Sequence, residues 1–197
     1  MNKTLEFFFD VGSPAAYLAW TQIPRIAAES GATLVWRPML LGGVFKAIGN
    51  TSPVMIPAKG SWLMADLARF AARYGVPLNI PKEFPVNTLS LMRGAAGMQL
   101  QHPQDFMRYL TAAFEGIFAR GLAMGDAAVV AQVLRDAGFD PAVFLTLIGD
   151  PAVKQALLAT TDEAVARGVF GAPTMFIGEE MHFGQDRLDF VTAALRR

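Results

Sequence analysis

Leu5-Glu6-Phe7-Phe8-Phe9-Asp10-Val11-Gly12-Ser13-Pro14 is the stretch that decides how this chain is read. Leu5–Phe9 is short, apolar and aromatic-rich, and Asp10 and Gly12 bound it, as expected of a buried strand. Ser13 then falls at a helix N-cap and Pro14 at the first helical position. A helical pattern follows over Pro14–Ser30, with Leu18, Ile23, Ile26 and Ala27 toward a core and Gly31 as the stop. Pro24 inside it predicts a kink. Thr33–Arg37 reads as a second strand, ended by Pro38. Strand, helix, strand in this order predicts a right-handed parallel crossover.

Downstream, Gly42–Pro57 is rich in glycine and proline and reads as irregular. Leu63, Leu67, Phe70 and Tyr74 then mark a helix stopped by Gly75. Pro77–Pro85 reads as extended, and Thr88–Leu100 as a helix interrupted near Gly94 and Gly97. Phe106, Leu110, Ala113, Phe114 and Ile117 form an apolar stripe ending at Gly121. Asp126 caps a helix stopped by Gly138. Asp140-Pro141 and Asp150-Pro151 start two more helices, the last running to about Gly168. Thr174–Ile177 and Met181–Phe183 read as a hairpin across Gly178-Glu179-Glu180. Asp186 is placed to cap a terminal helix carrying Leu188, Phe190, Val191 and Leu195.

A helix start at Ser13-Pro14 after the first strand, with Gly171-Ala172-Pro173-Thr174 before a later strand, predicts an α/β fold of thioredoxin-like type. Its mixed four-stranded sheet would carry a large all-helical insertion. The sheet domain is then discontinuous, 1–45 and 169–197, with the insertion at 46–168.

The chain has 197 residues, 53% of them hydrophobic, with 17 basic and 17 acidic side chains. That composition supports a large core and supplies no net field for nucleic acid or an anionic membrane. No apolar run approaches the length of a membrane span, and Glu6 and Asp10 interrupt any signal-like apolar segment. The expectation is a soluble, cytoplasmic protein. There is no cysteine, which excludes disulfides, thiolate metal sites and a protein-borne redox thiol. His102 and His182 are the only histidines, too few for most histidine metal sites, so no metal is expected.

Ser13 is therefore the residue of interest, set where redox members of such a fold carry cysteine. Unpaired N–H groups and a partial positive charge at a helix start favour a bound anion. A thiolate is such an anion, and here its sulfur must come from a bound molecule such as glutathione. A free thiol of pKa about 8.5 is only roughly 3% ionised at pH 7. Lowering that pKa by about two units requires roughly 2.7 kcal/mol. A helix start contributes about 0.3–1 kcal/mol, reaching about 2 when partly buried. A hydroxyl donating to the charged sulfur adds roughly 1.5–3 kcal/mol, a role Ser13 is placed to fill. The plainer reading is that Ser13 only caps its helix. A serine–histidine–aspartate triad is a weaker alternative, since no Gly-x-Ser-x-Gly elbow surrounds it.

Pro173 is a plain turn residue if trans. If cis, the backbone of Ala172 is available beside the helix start to pair with a peptide-like ligand. Gln185 and Asp186 precede the terminal helix, where a carboxylate caps the helix or binds an ammonium group. Lys46, Lys59, Arg69 and Arg93 are candidate cations for a carboxylate ligand, each also readable as a solvated charge. His182 alternates with Met181 and Phe183, which puts one of its faces toward solvent.

Phe7–Pro14 with Tyr17-Leu18-Ala19, Leu41–Lys46 with Gly49-Asn50, Gly168–Thr174 and Phe183–Leu188 resemble, in that order, the signatures of 2-hydroxychromene-2-carboxylate isomerases. The resemblance extends to kappa-class glutathione transferases and, more distantly, to bacterial disulfide oxidoreductases. It implies a glutathione-binding enzyme, usually a homodimer, acting on a small aromatic carboxylate by thiolate addition, bond rotation and elimination. By motif, Ser13 matches the thiol-activating serine. Asn50, Lys59, Ala172, Pro173, Gln185 and Asp186 fall on the glutathione side. Lys46, Trp62, Phe84 and Arg93 fall on the substrate side. Ala15-Ala16 stand where relatives often carry an aromatic residue and a serine. A kappa-like transferase or peroxidase, and a binding module without catalysis, remain alternatives.

Overall fold

The structure is a computed structural model and describes residues 3–197. Strand β1 (Thr4–Phe9) is the centre of the fold. Leu5, Phe7, Phe8 and Phe9 are fully buried. At roughly 1.5–3 kcal/mol for each large apolar side chain buried, this strand anchors the core. Strand β2 (Thr33–Pro38) pairs parallel to it, Thr4 opposite Thr33 and Phe9 opposite Pro38. β3 (Thr174–Ile177) and β4 (Glu180–Phe183) complete a mixed sheet in the order β2-β1-β3-β4, with β1/β3 and β3/β4 antiparallel. Pro38 is tolerated because β2 is an edge strand and the residue ends it.

The expected helix Pro14–Ser30 is two helices, α1 (Pro14–Trp20) and α2 (Ile23–Glu29). Pro24 has no N–H to offer the carbonyl four residues earlier. It therefore sits in the first turn of α2 instead of kinking one continuous rod. A second correction concerns Gly42–Pro57. Leu41–Ile48 is a helix, α3, followed by a 3₁₀ turn at Pro53–Met55. Its two internal glycines disfavour a helix. Partners distant in sequence take up its first N–H groups: Thr161 Oγ1 accepts from Leu40 at 2.9 Å and Asp10 Oδ2 from Leu41 at 2.8 Å. Gly49 closes it in the left-handed conformation, φ +69°.

Six further helices fill the chain between α3 and β3. They are α4 (Pro57–Tyr74), α5 (Leu89–Gln101), α6 (Phe106–Phe114, extended by a π turn at Glu115–Ala119), α7 (Ala127–Asp136), α8 (Pro141–Gly149) and α9 (Pro151–Ala166). Asp126, Asp140 and Asp150 cap α7, α8 and α9 as expected. α5 runs without a break through Gly94 and Gly97. An added Cβ at Gly94 would lie 2.2 Å from the Tyr109 hydroxyl, and one at Gly97 2.7 Å from Leu147. These glycines admit close neighbours rather than ending the helix. A boundary at 45/46 falls inside α3 and one at 168/169 falls after α9. A single hydrophobic core includes residues from the sheet and from the helical block.

Two expectations near the C-terminus change. Asp186 does not cap the last helix, α10 (Leu188–Arg196); it lies in a 3₁₀ turn, Gln185–Arg187, and pairs with Arg187. On β4, His182 points inward opposite Met175 and is buried, while Met181 and Phe183 are the exposed neighbours. No single helix among the described residues is long and apolar enough to cross a membrane. α8 and α9 reach that length together but bend by 64°, and Phe144, Leu147, Val153 and Leu157 on them belong to the core.

Candidate functional site

The segment between β1 and α1 is a turn built by Asp10. Its carbonyl accepts from the Ser13 N–H at 3.0 Å, and its Oδ1 accepts from the Gly12 N–H at 2.9 Å. Such aspartate-stabilised turns deliver the following residue to a helix start. Gly12 has no space for a side chain, since a Cβ there would meet Thr88 Cγ2 at 2.7 Å. Ser13, in extended conformation, accepts from the Ala16 N–H at 3.1 Å and so caps α1. Its hydroxyl donates to the Ala172 carbonyl at 2.9 Å. The helix start and the loop before β3 are thus in direct contact.

The Ala172–Pro173 peptide is cis. Pro173 itself is buried and does not line the cavity; its carbonyl accepts from the Gly184 N–H at 3.0 Å. The Ala172 N–H has no acceptor among the described residues. It is a free donor beside Ser13.

Ser13 and Ala172 lie on the wall of a cavity of about 720 Å³, within the range of small-molecule sites. The polar residues of the wall include Asn50, Lys59, Asp66, Gln185 and Asp186. The Gln185 residue is 6% exposed, and its side-chain amide makes no hydrogen bond among the described residues. Its carbonyl accepts from Tyr74 Oη at 2.7 Å, which ties the end of α4 to this loop. Desolvation pushes the Tyr74 phenol above its ordinary pKa, so it remains a donor. Asn50 Nδ2 donates to the Phe170 carbonyl at 3.3 Å. The apolar residues of the wall include Leu63, Leu67, Phe84 and Val86. Trp62 stands 63% exposed at its edge.

The spacing of α4 explains its contribution. Lys59, Trp62, Leu63, Asp66 and Leu67 recur at three and four residues and share one helical face toward the cavity. Of the expected cations, only Lys59 lines it. Lys46 is exposed in the last turn of α3, whose cavity residues are Leu41, Gly42 and Phe45. Arg93 does not line the cavity either. It stands five residues beyond Thr88, the lining residue at the start of α5, or about 7.5 Å along a helix axis. Arg69 is exposed and pairs with Asp66 at 3.4 Å.

In the sequence Asp10, Tyr74 and Thr88 mark only a strand end, a helix face and a helix start, and Asp66 carries no local signal, yet all four bear on the site. Asp10 is 2% exposed and lines the cavity. Burial raises its carboxyl above the ordinary carboxylate range, against the lowering effect of hydrogen bonds from Gly12, Leu41 and Thr88. An acidic residue directly after three buried phenylalanines was the available signal. The wall as a whole fits a peptide-like ligand with an ammonium end and carboxylates. It offers Asp66 and Asp186, Lys59, an unpaired amide side chain and an unpaired backbone N–H.

The comparisons agree with this architecture. Residues 4–196 match the DSBA-like thioredoxin domain. The chain is 32% identical over 198 residues to the 2-hydroxychromene-2-carboxylate isomerase of Sphingobium xenophagum, covering 99% of each chain. It is 27% identical to glutathione S-transferase kappa 1 of Rattus norvegicus, covering 98% of this chain and 91% of that one. A solved structure of a 2-hydroxychromene-2-carboxylate isomerase superposes with a TM-score of 0.85 at 30% identity, covering 98% of this chain and 94% of that one. The chain belongs to the DSBA-like thioredoxin-domain family, as a relative of the 2-hydroxychromene-2-carboxylate isomerases.

Proposed function

We propose that the protein is a glutathione-dependent isomerase that interconverts 2-hydroxychromene-2-carboxylate and trans-o-hydroxybenzylidenepyruvate. The observation that carries this reading is the Ser13–Ala172 contact, on the wall of a cavity lined by polar and apolar residues, in a chain without cysteine. When bound, glutathione supplies a thiolate that adds to the conjugated alkene, leaves a single bond free to rotate, and is then expelled unchanged. Ser13 turns its hydroxyl from the Ala172 carbonyl to the sulfur. The Ala172 N–H pairs with the ligand backbone, as an added strand would. Asp186 and Gln185 hold the ammonium end, Lys59 holds a carboxylate, and Asn50 closes the mouth. Trp62 and Phe84 flank the aromatic ring of the substrate.

α1 has only seven residues, so the Ser13 hydroxyl contributes more than the helix to stabilising the anion. A homodimeric state, a cytoplasmic location and a place in naphthalene-type catabolism belong to the same proposal. The test is isomerisation of the chromene carboxylate with and without glutathione. Equal rates in both would overturn the reading.

The kappa-class relatives support a second reading, transfer of glutathione to a neutral aromatic electrophile. Lys59 is the one cation among the described lining residues. If it holds a carboxylate of glutathione, none on the wall remains for the substrate. Turnover of a chloronitrobenzene in place of the chromene carboxylate would select this reading.

A further inference from the structure

Asp10 is the buried charge that the reading above leaves unused. Oδ1 accepts from the Gly12 N–H at 2.9 Å, Oδ2 accepts from the Leu41 N–H at 2.8 Å, and the Thr88 hydroxyl donates as well. No cation is paired with it among the described residues. The other two carboxylates of the wall differ. Asp186 pairs with Arg187 and Asp66 with Arg69, and their side chains are 35% and 22% exposed. Lys59, Asp66 and Asp186 are the remaining ionisable groups of the wall. α3 and α5, whose ends hold Asp10, bring none to it.

A thiol bound at Ser13 must lose a proton before it can act as a nucleophile. Ser13 cannot take that proton: its Oγ already accepts from Ala16, and its single O–H is the donor to the sulfur. No histidine or tyrosine lines the cavity among the described residues. An ionised sulfur would also share the cavity with the buried Asp10 carboxylate. Two anions in such a site oppose one another and hold one proton between them.

We propose that Asp10 is the internal acceptor of the thiol proton, so that the pair carries a single negative charge with or without ligand. The inference rests on the glutathione reading. The S–H bond breaks, an O–H bond forms on Asp10, and the charge passes from carboxylate to sulfur. Thr88 donates to the ionised carboxylate and turns to accept from the protonated one, which a hydroxyl can do. The proton stays on Asp10 while the sulfur reacts and returns to it when the ligand leaves. Burial raises the Asp10 carboxyl above the ordinary carboxylate range, the direction this exchange requires.

The experiment is calorimetric titration of glutathione at pH 7 in two buffers of different ionisation enthalpy, with thiolate absorbance read in parallel. In the wild type, thiolate forms with well under half a proton released, and affinity is nearly flat between pH 6 and 7.5. In Asp10→Asn, each thiolate formed releases about one proton, and affinity rises about tenfold per pH unit. Thr88→Val, which removes the group that accepts from the protonated carboxyl, moves the wild type the same way and serves if Asp10→Asn does not fold. S-methylglutathione shows no proton exchange in any variant. Thiolate formation with a full proton released by the wild type, or with none released by Asp10→Asn, overturns the role of Asp10 alone. Binding without any thiolate overturns the proposed function and this inference together.

Discussion

The Ser13 hydroxyl and the Ala172 carbonyl lie 2.9 Å apart and join positions separated by 159 residues. This bond uses the only O–H proton Ser13 has. A neutral hydrogen bond is worth about 0.5–1.5 kcal/mol and one to a charged group about 1.5–3 kcal/mol. The proton therefore turns to an anion when one is present and rests on Ala172 when none is. Ser13→Ala removes both this bond and the cap on α1. We expect a loss of about 1–2 kcal/mol, seen as a fall in Tm of about 2–8 °C for a chain of this size. We also expect the thiolate absorbance of bound glutathione to vanish, whereas Ser13→Thr keeps it. An unchanged thiolate in the alanine variant would remove Ser13 from its proposed role.

Trp62 lines the cavity and contributes little to the core, being 63% exposed. Trp62→Ala should raise KM for an aromatic substrate by about tenfold, the effect of losing roughly 1.4 kcal/mol. KM for glutathione and Tm should stay within error. Steady-state kinetics with each ligand varied in turn separates the two.

Tyr74 ties α4 to the loop that presents Gln185, through its 2.7 Å bond to the Gln185 carbonyl. Tyr74→Phe deletes that bond and leaves the ring packing. A cost of about 1 kcal/mol follows. Because the bond holds Gln185 in place, glutathione affinity should weaken by about fivefold as well. A stability loss with unaltered affinity would confine Tyr74 to a packing role.

Glycines inside helices separate into two kinds. At Gly94 a Cβ would stand 2.2 Å from the Tyr109 hydroxyl and 2.6 Å from Phe144. Both rings are buried, so neither can swing away. Gly94→Ala should destabilise by about 1–3 kcal/mol or more, despite its better helix propensity. At Gly42, in α3, nothing lies within 4 Å, and Gly42→Ala should stabilise by about 0.5–1 kcal/mol. Thermal unfolding of the two variants should move in opposite directions.

Burial raises the pKa of Asp10 in the folded protein. Above the unfolded value of about 3.9, the native state then binds more protons than the unfolded one. Stability from this group therefore falls as pH rises toward the folded pKa and is constant beyond it. Asp10→Asn lacks that penalty but loses hydrogen bonds. Its deficit in Tm relative to the wild type should be larger at pH 4.5 than at pH 7.5. A deficit that grows with pH would contradict the raised pKa.

Much of this was legible in the chain. Aromatic Leu5–Phe9, the Ser13-Pro14 start, the aspartate caps at 126, 140 and 150, and the hairpin at Gly178 depend on neighbours within a few residues. Their physics is local. α3 is not legible locally because its first N–H groups are held by Asp10 and Thr161, far away in sequence. Gly94 and Gly97 read as interruptions in the sequence because their place in the helix depends on Tyr109 and Leu147, which only packing brings near. The inward face of His182 is not legible locally because Met181 and Phe183 are as apolar as core residues. Only the pairing of β4 with β3 decides which side is inward.

The sequence by itself determined the order of the strands and of most helices, the absence of any thiol of its own, and the residue types available for holding an anion. Those follow from periodicity, capping and composition. The tertiary structure decided which of the candidate charges meet. Lys59, Gln185 and Asp186 share a wall with Ser13, whereas Lys46 and Arg93 do not line it. It also disclosed Asp10 as a buried carboxylate held by donors from three segments. The reason is that the sheet sets a β1 turn, two helix starts and the loop before β3 around one cavity. Desolvation, the force that raises the Asp10 pKa, has no value until that cavity is closed.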